Sequence, residues 1–438
     1  MAPIFLTNYS NYMANISYIE TEAKKPTNVS LFIPTDESIG AMLFDICGFN
    51  NPFGEYPTLY HNFKDGKIQS VSNMDEAQLL GIEDNGFLNG MVYYHLSQFF
   101  KFVGEDKTIF LAFFDCSENW DILQQMQSEA NGKLFHIGVW TSQPIWTKND
   151  DSVGFTPLIR LLQRQADEIN GEIGKSTHSM IPLNILLFGN SNYVDGEKIN
   201  YKQLPDAIDL ECPKISVFLC QNGSPEIHKM QESNPLKSPV SVMGLVMGCL
   251  ALCGAEESIA SVGKCDLNKD EEFTYPEWGF GADGTPIDSI HRIWANITSS
   301  KGYIIPINYE EIEASYFLSS DQTLSYGDFC SLANNRVMHK CRRAMSTALL
   351  PYLHSNQLFT PGSKNIDASA IAIITTAINT VLDSTLRNRQ GKEQIDGRAI
   401  TFLENEDMLE NDTLNIKLEV KPANYNGYIS EEVSHENN

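Results

Sequence analysis

Basic residues are scarce in this chain: 31 lysines and arginines face 56 acids in 438 residues, a formal net charge of −25. The deficit argues against generic nucleic-acid binding, which needs a cationic footprint. It suits a protein kept in solution until it meets a partner. Long apolar runs are missing too. The longest, Val240 to Leu252, is too short to span a bilayer. Its Gly244-x-x-x-Gly248 spacing reads as a soluble helix packed closely against a sheet, not as a membrane dimer motif. Residues 1–20 carry neither the basic n-region nor the apolar h-region of a secretory signal.

Catalytic and ligand-binding signatures are equally thin. There is no Walker-type phosphate loop and no GxGxxG after a strand. The stretch 187–192 ends a strand where a hydrolase places its nucleophile, but no glycine follows Ser191 at the required spacing. Nine histidines never pair at metal-ligand spacing. Asp266, Asn268, Asp270 and Glu277 fall on EF-hand ligand positions, yet Glu271 stands where the turn needs glycine, and Pro276 interrupts the exit. An acidic turn is the simpler reading. The glycine-rich loop 278–286 lacks the basic residue that a phosphate cradle usually adds. No cofactor and no metal are expected. Nine scattered cysteines without a CxxC point to reduced, buried thiols in a protein folded in a cytoplasm.

What the sequence does contain is alternation. The run 108–114 is continuously apolar, as for a strand buried on both faces. Strands over 29–34, 134–140, 182–188 and 215–220 join helices over 87–102, 155–170 and 238–253, with Ser117 expected to cap a further helix through Ala130. Residues 45–84, rich in glycine, proline and asparagine, read as loop. The order implies an α/β class with a mostly parallel sheet. Two amphipathic helices follow. The first, within 326–352, has an apolar stripe of Val337, Cys341, Ala344, Met345, Ala348 and Tyr352; the second, capped by Asp367, turns Ile371, Ile374, Ile378, Val381 and Leu382 inward. Opposite the first stripe lie Arg336, Lys340 and Arg343, a cationic face that stands out among so many acids; a solvated helix face is the simpler reading, and a contact surface for an acidic partner is the functional one.

Both ends of the chain look like edges. Ile4, Leu6 and Tyr9 alternate in an N-terminal arm. Leu414, Ile416, Leu418 and Val420 alternate in a strand reached through the acidic spacer 404–412, with Ile429 and Val433 beyond it. Such strands are placed to add to a neighbour's sheet.

These features together resemble the tail sheath proteins of contractile phages and related contractile injection systems. The carriers are the stretch 325–340 with Asn335, Arg336, Val337 and Lys340, the helix 371–386, the turn 394–397 and the strand 414–422; upstream, 74–81 with the helix 93–100, and 258–266, are also similar. The resemblance implies an α/β domain inserted into a C-terminal α+β sheath domain that the N-terminal segment completes. The expected units are an arm at 1–22, an outer α/β region at 23–300, a sheath core at 301–403, and a linker with arm strand at 404–438. It further implies strand exchange between subunits, a helical homo-oligomer around an inner tube, contraction without an enzymatic step, and baseplate and terminator partners. The cationic face becomes a possible tube contact. Assembly in a bacterial cytoplasm and residence in a virion tail or injection particle follow, with no membrane insertion. The competing expectation is a hydrolase-like α/β enzyme with an appended helical domain; a third is a lattice or adaptor protein that does not contract.

Overall fold

The computed structural model describes residues 37–423, except 55, 105–106, 118–119, 150–151, 172–181, 191–192, 195–196, 200, 235, 237, 269–272, 274–275, 279–284, 287–299, 310–311, 313, 354–365, 389–390 and 404–413. Ile4, Leu6, Tyr9, the strand expected over 29–34, Ile429 and Val433 lie outside the described residues.

A seven-stranded sheet is built from β1 (Gly40–Asp45), β2 (Gln69–Val71), β3 (Ile109–Phe114), β4 (His136–Trp140), β5 (Asn184–Phe188), β6 (Ile215–Phe218) and β7 (Tyr303–Ile304), while β8 (Ile395–Leu403) and β9 (Asn415–Pro422) form a separate ribbon. The main helices are α1 (Leu88–Val103), α2 (Leu158–Ile169), α3 (Met243–Leu252), α4 (Leu332–Leu349) and α5 (Ala368–Thr385). Across the sheet the order is β2-β3-β1-β4-β5-β6-β7, all parallel except β2. The chain passes from β1 outward to β3, then crosses back to β4 on β1's other side. This is a doubly wound sheet whose winding reverses between β1 and β4.

The apolar runs become the central strands because both faces are covered. Every residue of β1, β4 and β5 is buried. The glycine-spaced helix α3 packs mainly along α1, not flat on the sheet. A Cβ on Gly244 would meet the His95 carbonyl oxygen at 2.1 Å, and one on Gly248 would meet Phe102 Cβ at 2.7 Å. Only glycine permits that approach. From the sheet side, Met243 and Met247 fill the space over Gly138.

Three expectations need correction. Residues 45–84 are not loop: they hold the helices Pro57–Phe63 and Met74–Leu79 and strand β2. The second helix is fixed by a reciprocal cap in which Asn73 Oδ1 accepts from Glu76 N (2.8 Å) and Glu76 Oε2 accepts from Ser72 N (2.8 Å). Ser117 caps nothing; it donates to Asp115 Oδ1 (2.6 Å), and the helix starts five residues later at Ile122. Finally, Tyr303–Ile304, expected in the C-terminal unit, is the outermost strand of the large sheet, because two fully buried apolar side chains complete its edge.

Two hydrophobic cores result. The large one surrounds the sheet. The second holds Val337, Cys341, Ala344, Ile374, Ile378 and Leu382 between α4 and α5, with β8 and β9 laid against it. Asp367 Oδ1 accepts from Ser369 N (2.8 Å), the expected cap of α5.

Candidate interaction surface

Helix α4 has two working faces, both turned inward. Ser331 caps it, accepting from Ala333 N at 3.1 Å. Its apolar stripe packs into the second core, as the periodicity predicts. Its cationic stripe is not a surface at all: Arg336 and Lys340 are each 1% exposed and Arg343 is 6%. Arg336 donates to the carbonyls of Leu250 (3.0 Å), Cys253 (2.9 Å) and Gly254 (3.0 Å) at the C-terminal end of α3, where unpaired carbonyls and the helix dipole both favour a cation. Lys340 Nζ reaches Glu37 Oε2 (3.1 Å) and Gln394 Oε1 (2.8 Å). Arg343 donates to the carbonyls of Gly132, Leu134 and Pro182 and stacks 4.2 Å over the Phe135 ring. Those carbonyls lead into β4 and β5. The expected contact with an acidic partner is therefore corrected: the face is consumed within the chain, Arg336 and Arg343 by backbone carbonyls of the α/β body and Lys340 by the Glu37 and Gln394 side chains.

The electrostatics of this joint follow from burial. Arg343 is pushed down to about 9 by burial and stays charged at neutral pH. Burial works against ionising Glu37, but Lys340 and then Arg336 outweigh it and hold the carboxyl below the usual range. His136 and His339 are driven well below ordinary histidine values, first by burial and then by nearby cations, Arg336 and Arg343 for His136 and chiefly Arg343 for His339. Among the described residues neither ring nitrogen of His136 has a hydrogen-bond partner, nor does Nδ1 of His339.

The ribbon differs in kind. β8 and β9 pair antiparallel from Ile395↔Pro422 to Leu403↔Asn415, with a bulge at 395–397. The strand expected as a free arm thus pairs within its own chain, since Ile400 and Phe402 of β8 lie opposite Leu418 and Ile416. Leu414, Ile416, Leu418 and Val420 all face the second core, yet each remains only partly buried. Among the described residues neither strand has a partner on its outer edge. A half-covered apolar face with two open edges is a template for further strands.

The points where the terminal segments join this fold coincide. Gln394 Nε2 donates to Glu37 Oε1 (3.2 Å), and Gln394 O accepts from Ala423 N (3.0 Å). Gln394 also binds Glu256 Oε2 (2.6 Å) and, through its own amide, the Leu386 carbonyl (3.0 Å). Residues 1–36 and 424–438 therefore attach on either side of one fully buried glutamine at the base of the ribbon. The sequence reading used 394–397 only as a turn; nothing in the pattern announces Gln394 as a hub, because its partners are far apart in sequence.

Nearby, α5 presents Ala372, Ile373, Thr376 and Thr380 to solvent, an uncharged face on which Ile373 is 58% exposed. By length and mean hydropathy (1.2) α5 passes as a membrane span. Its Ile374, Ile378 and Leu382 are nonetheless fully buried in the second core.

The described part of the acidic turn serves structure, while 191–192 and most of the glycine-rich loop (279–284) lie outside the described residues. Asp266 accepts from Asn268 N (3.0 Å), Tyr316 N (3.2 Å) and Ser315 Oγ (2.6 Å), holding a turn. Glu277 lies in a small antiparallel sheet and pairs with His228; Asp270 and Glu271 lie outside the described residues. An open cavity of about 720 Å³ is lined by Lys67, Gln69, Asp121, Gln124, Gln125 and Glu129 among others, with no histidine or cysteine.

Comparison with known structures places this architecture. A chain of the anti-feeding prophage baseplate superposes with a TM-score of 0.52 at 13% identity, covering 96% of this chain and 98% of that one. The fold is that of a contractile-injection-system, sheath-like protein. A chain of the sheath complex of an extracellular contractile injection system (PVC), in its contracted state, gives a TM-score of 0.55 at 10% identity, again over 96% and 98%. No protein-family model matches the sequence, and no curated protein matches it. The mixed α/β architecture with its parallel-rich sheet is thus shared with these neighbours over nearly their whole length.

Proposed function

We propose that this chain is a structural subunit of a contractile sheath, one that polymerises helically around an inner tube and drives it by contraction. The observation that carries the reading is the ribbon: a half-covered apolar face and two edges open among the described residues, set where both terminal segments join the fold. The arms containing Ile4, Leu6 and Tyr9, and Ile429 and Val433, add strands to the ribbons of neighbouring subunits. Backbone hydrogen bonds supply affinity there, and alternate side-chain pockets supply register. Repeated heterologous contacts of this kind build an open helix. Strands that stay paired while subunits rotate allow a bistable lattice to shorten without nucleotide hydrolysis. The sheath-like neighbours support the reading, since they belong to a sheath complex and a baseplate.

Partners in this reading are other copies of the chain, the inner tube, and the baseplate and terminator proteins. The uncharged outer face of α5 takes the place of Arg336, Lys340 and Arg343 as the proposed tube contact. Assembly occurs in the producing cell's cytoplasm, and the particle acts outside it. A hydrolase reading is not favoured, since the solved structures that the fold resembles are a baseplate chain and a sheath-complex chain.

The test is negative-stain microscopy of the purified chain. Full-length protein should form tubes or helical aggregates. A variant lacking 424–438, which leaves β9 intact, should lose them while keeping the circular-dichroism melting curve of the full chain. A monodisperse monomer from the full-length chain would sink the sheath reading.

A further inference from the structure

The carboxyl edge of the large sheet holds a cluster that sheath assembly does not use. β1 and β3 run in parallel register to Asp45↔Phe114, and the ladder continues one step with Ile46 N donating to Phe114 O (2.7 Å). Two residues beyond each strand's last pair stand Cys47 and Cys116. They therefore face one another across neighbouring strand ends, about 4.8 Å apart in the sheet direction. Between them lies Asp45, fully buried, with Oδ1 accepting from Cys47 N (2.9 Å) and Cys116 N (3.1 Å). Its Oδ2 accepts from Thr141 Oγ1 (2.6 Å), at the end of β4. A carboxylate oxygen of Asp45 and the thiol sulfurs of Cys47 and Cys116 all lie within 4.8 Å of one another.

We propose that Asp45, Cys47 and Cys116 form a binding site for a zinc-class divalent cation. Two thiolates and one carboxylate are ligands such an ion accepts, and the sulfur and oxygen bond lengths of a tetrahedral centre place donors about 3.3–3.8 Å apart. The cluster reaches that spacing by side-chain rotation of the two half-buried cysteines; the backbone is already in register. Thr141 orients the carboxylate, the outer-shell role that hydrogen-bonded ligands need. Asp115, whose carboxylate also hydrogen-bonds the Cys47 thiol, is at hand as a fourth ligand.

A second, independent observation is position. The Asp45–Thr141 bond spans β1 and β4, where the winding of the sheet reverses, and ligands of doubly wound sheets bind beyond the carboxyl ends of the strands at that point. The local charge also fits a cation. Asp45 is buried without a basic partner among the described residues. Burial and the Asp45 charge hold both thiols protonated in the free protein, so they ionise only as a dication binds. Each thiol loses its proton to solvent as its sulfur bonds the metal, so capture of one ion releases two protons and changes no oxidation state. Closing the ends of β1, β3 and β4 on one ion would stiffen the edge of the body that lies away from the α4 joint.

The other cysteine group behaves differently. Cys253 and Cys265 approach at 3.3 Å but are enclosed in the large core, and Glu257, the carboxylate whose charge reaches both, is held by Gly254 N (2.8 Å) and Lys264.

The experiment uses reduced, full-length protein and zinc ion alone. Titration calorimetry in two buffers of different ionisation enthalpy should give one zinc per chain with release of about two protons. Cys47→Ser and Cys116→Ser should each weaken binding by about tenfold or more. Cys330→Ser, at an exposed cysteine remote from the cluster in sequence, should leave it unchanged. Independently of any variant, zinc should protect Cys47 and Cys116 of the wild-type chain from alkylation, read by peptide mass spectrometry, while Cys330 continues to react. Absence of stoichiometric binding, or binding that leaves Cys47 and Cys116 fully alkylated, would overturn the site. So would loss of both thiols as a disulfide without retained zinc. None of these readouts depends on tube formation, so the site and the sheath reading stand or fall separately.

Discussion

The α/β body and the C-terminal ribbon are both β-structures laid against helices, yet they stand in opposite relations to water. In the body, β1, β4 and β5 are buried along their whole length and the sheet finds helices for both faces. In the ribbon, Ile416, Leu418 and Val420 alternate correctly and still stop half-way to burial, with edges unpaired among the described residues. The body is energetically finished within one chain. Among the described residues the ribbon carries half-covered apolar surface and unpaired backbone edges, the kind of surface that accepts further strands. Helix α4 separates the two regimes, with its apolar stripe toward the ribbon's core and its cations toward the body.

The comparison breaks most severely at α4. Arg343→Ala removes a buried cation from three backbone carbonyls and from the Phe135 ring. The Gly132 and Pro182 carbonyls lose this donor in a place water does not easily reach, while the Leu134 carbonyl keeps its bond from Gln127 Nε2 (3.0 Å). Each buried acceptor left without its donor costs about 1–3 kcal/mol, so urea denaturation should show a loss of about 2–6 kcal/mol for the two, or an unfolding in two steps as the C-terminal unit detaches. A loss under about 1 kcal/mol would mean that body and ribbon are joined by something other than this residue. The same reasoning holds for Arg336→Glu with Lys340→Glu, which should damage folding before it touches assembly.

A smaller, graded effect is expected from acid. His136 and His339 are buried neutral beside cations, so their folded pKa values lie below the unfolded value of 6.5. Below pH 6.5 the unfolded chain takes up protons that the folded one resists. Stability should therefore be level above pH 6.5 and fall as pH drops beneath it, by about 1.4 kcal/mol per pH unit for each histidine. Glu37 has the opposite chemistry and the same sign. Its folded value is depressed, so its contribution is present above about 4.5, the ordinary glutamate value, and is lost as pH falls through the depressed one. Denaturation midpoints measured from pH 7.5 to 4 test this; a flat profile to pH 5 would show that the histidines accept protons without strain on the joint.

How much of this was legible in sequence depends on whether the information is local. The strand at 109–114 and the cap at Asp367 were readable because a continuous apolar run and a capping residue act through their nearest neighbours. The two faces of α4 were readable as faces, since 100° periodicity places side chains around an axis. What lay opposite the cations was not, because Leu250, Gly132 and Pro182 offer only backbone carbonyls, which every residue possesses. β1 was missed for a related reason: six residues opening on glycine, beside a stretch rich in turn residues, give little periodic signal until the sheet around them is known. The alternation in 414–420 was visible. Its partner in β8 was not, since register across the ribbon is a tertiary fact.

The least costly substitution for the single chain should be the most telling for the assembly. Leu418 lies mid-strand in β9, opposite Ile400, and is only partly buried. Full burial of a leucine contributes about 1.5–3 kcal/mol, so Leu418→Ser should cost a half-covered site about 1 kcal/mol. The melting curve should shift by only a few degrees. If neighbouring subunits complete the ribbon, the same side chain is fully enclosed in every copy of the polymer, and the loss is repeated at each contact along the helix. Tube formation should then fail at protein concentrations where the wild type assembles, although the monomer remains folded. Equal tube yields from both proteins would show that the half-covered face is the ribbon's finished state, and that the difference between body and ribbon has no part in assembly.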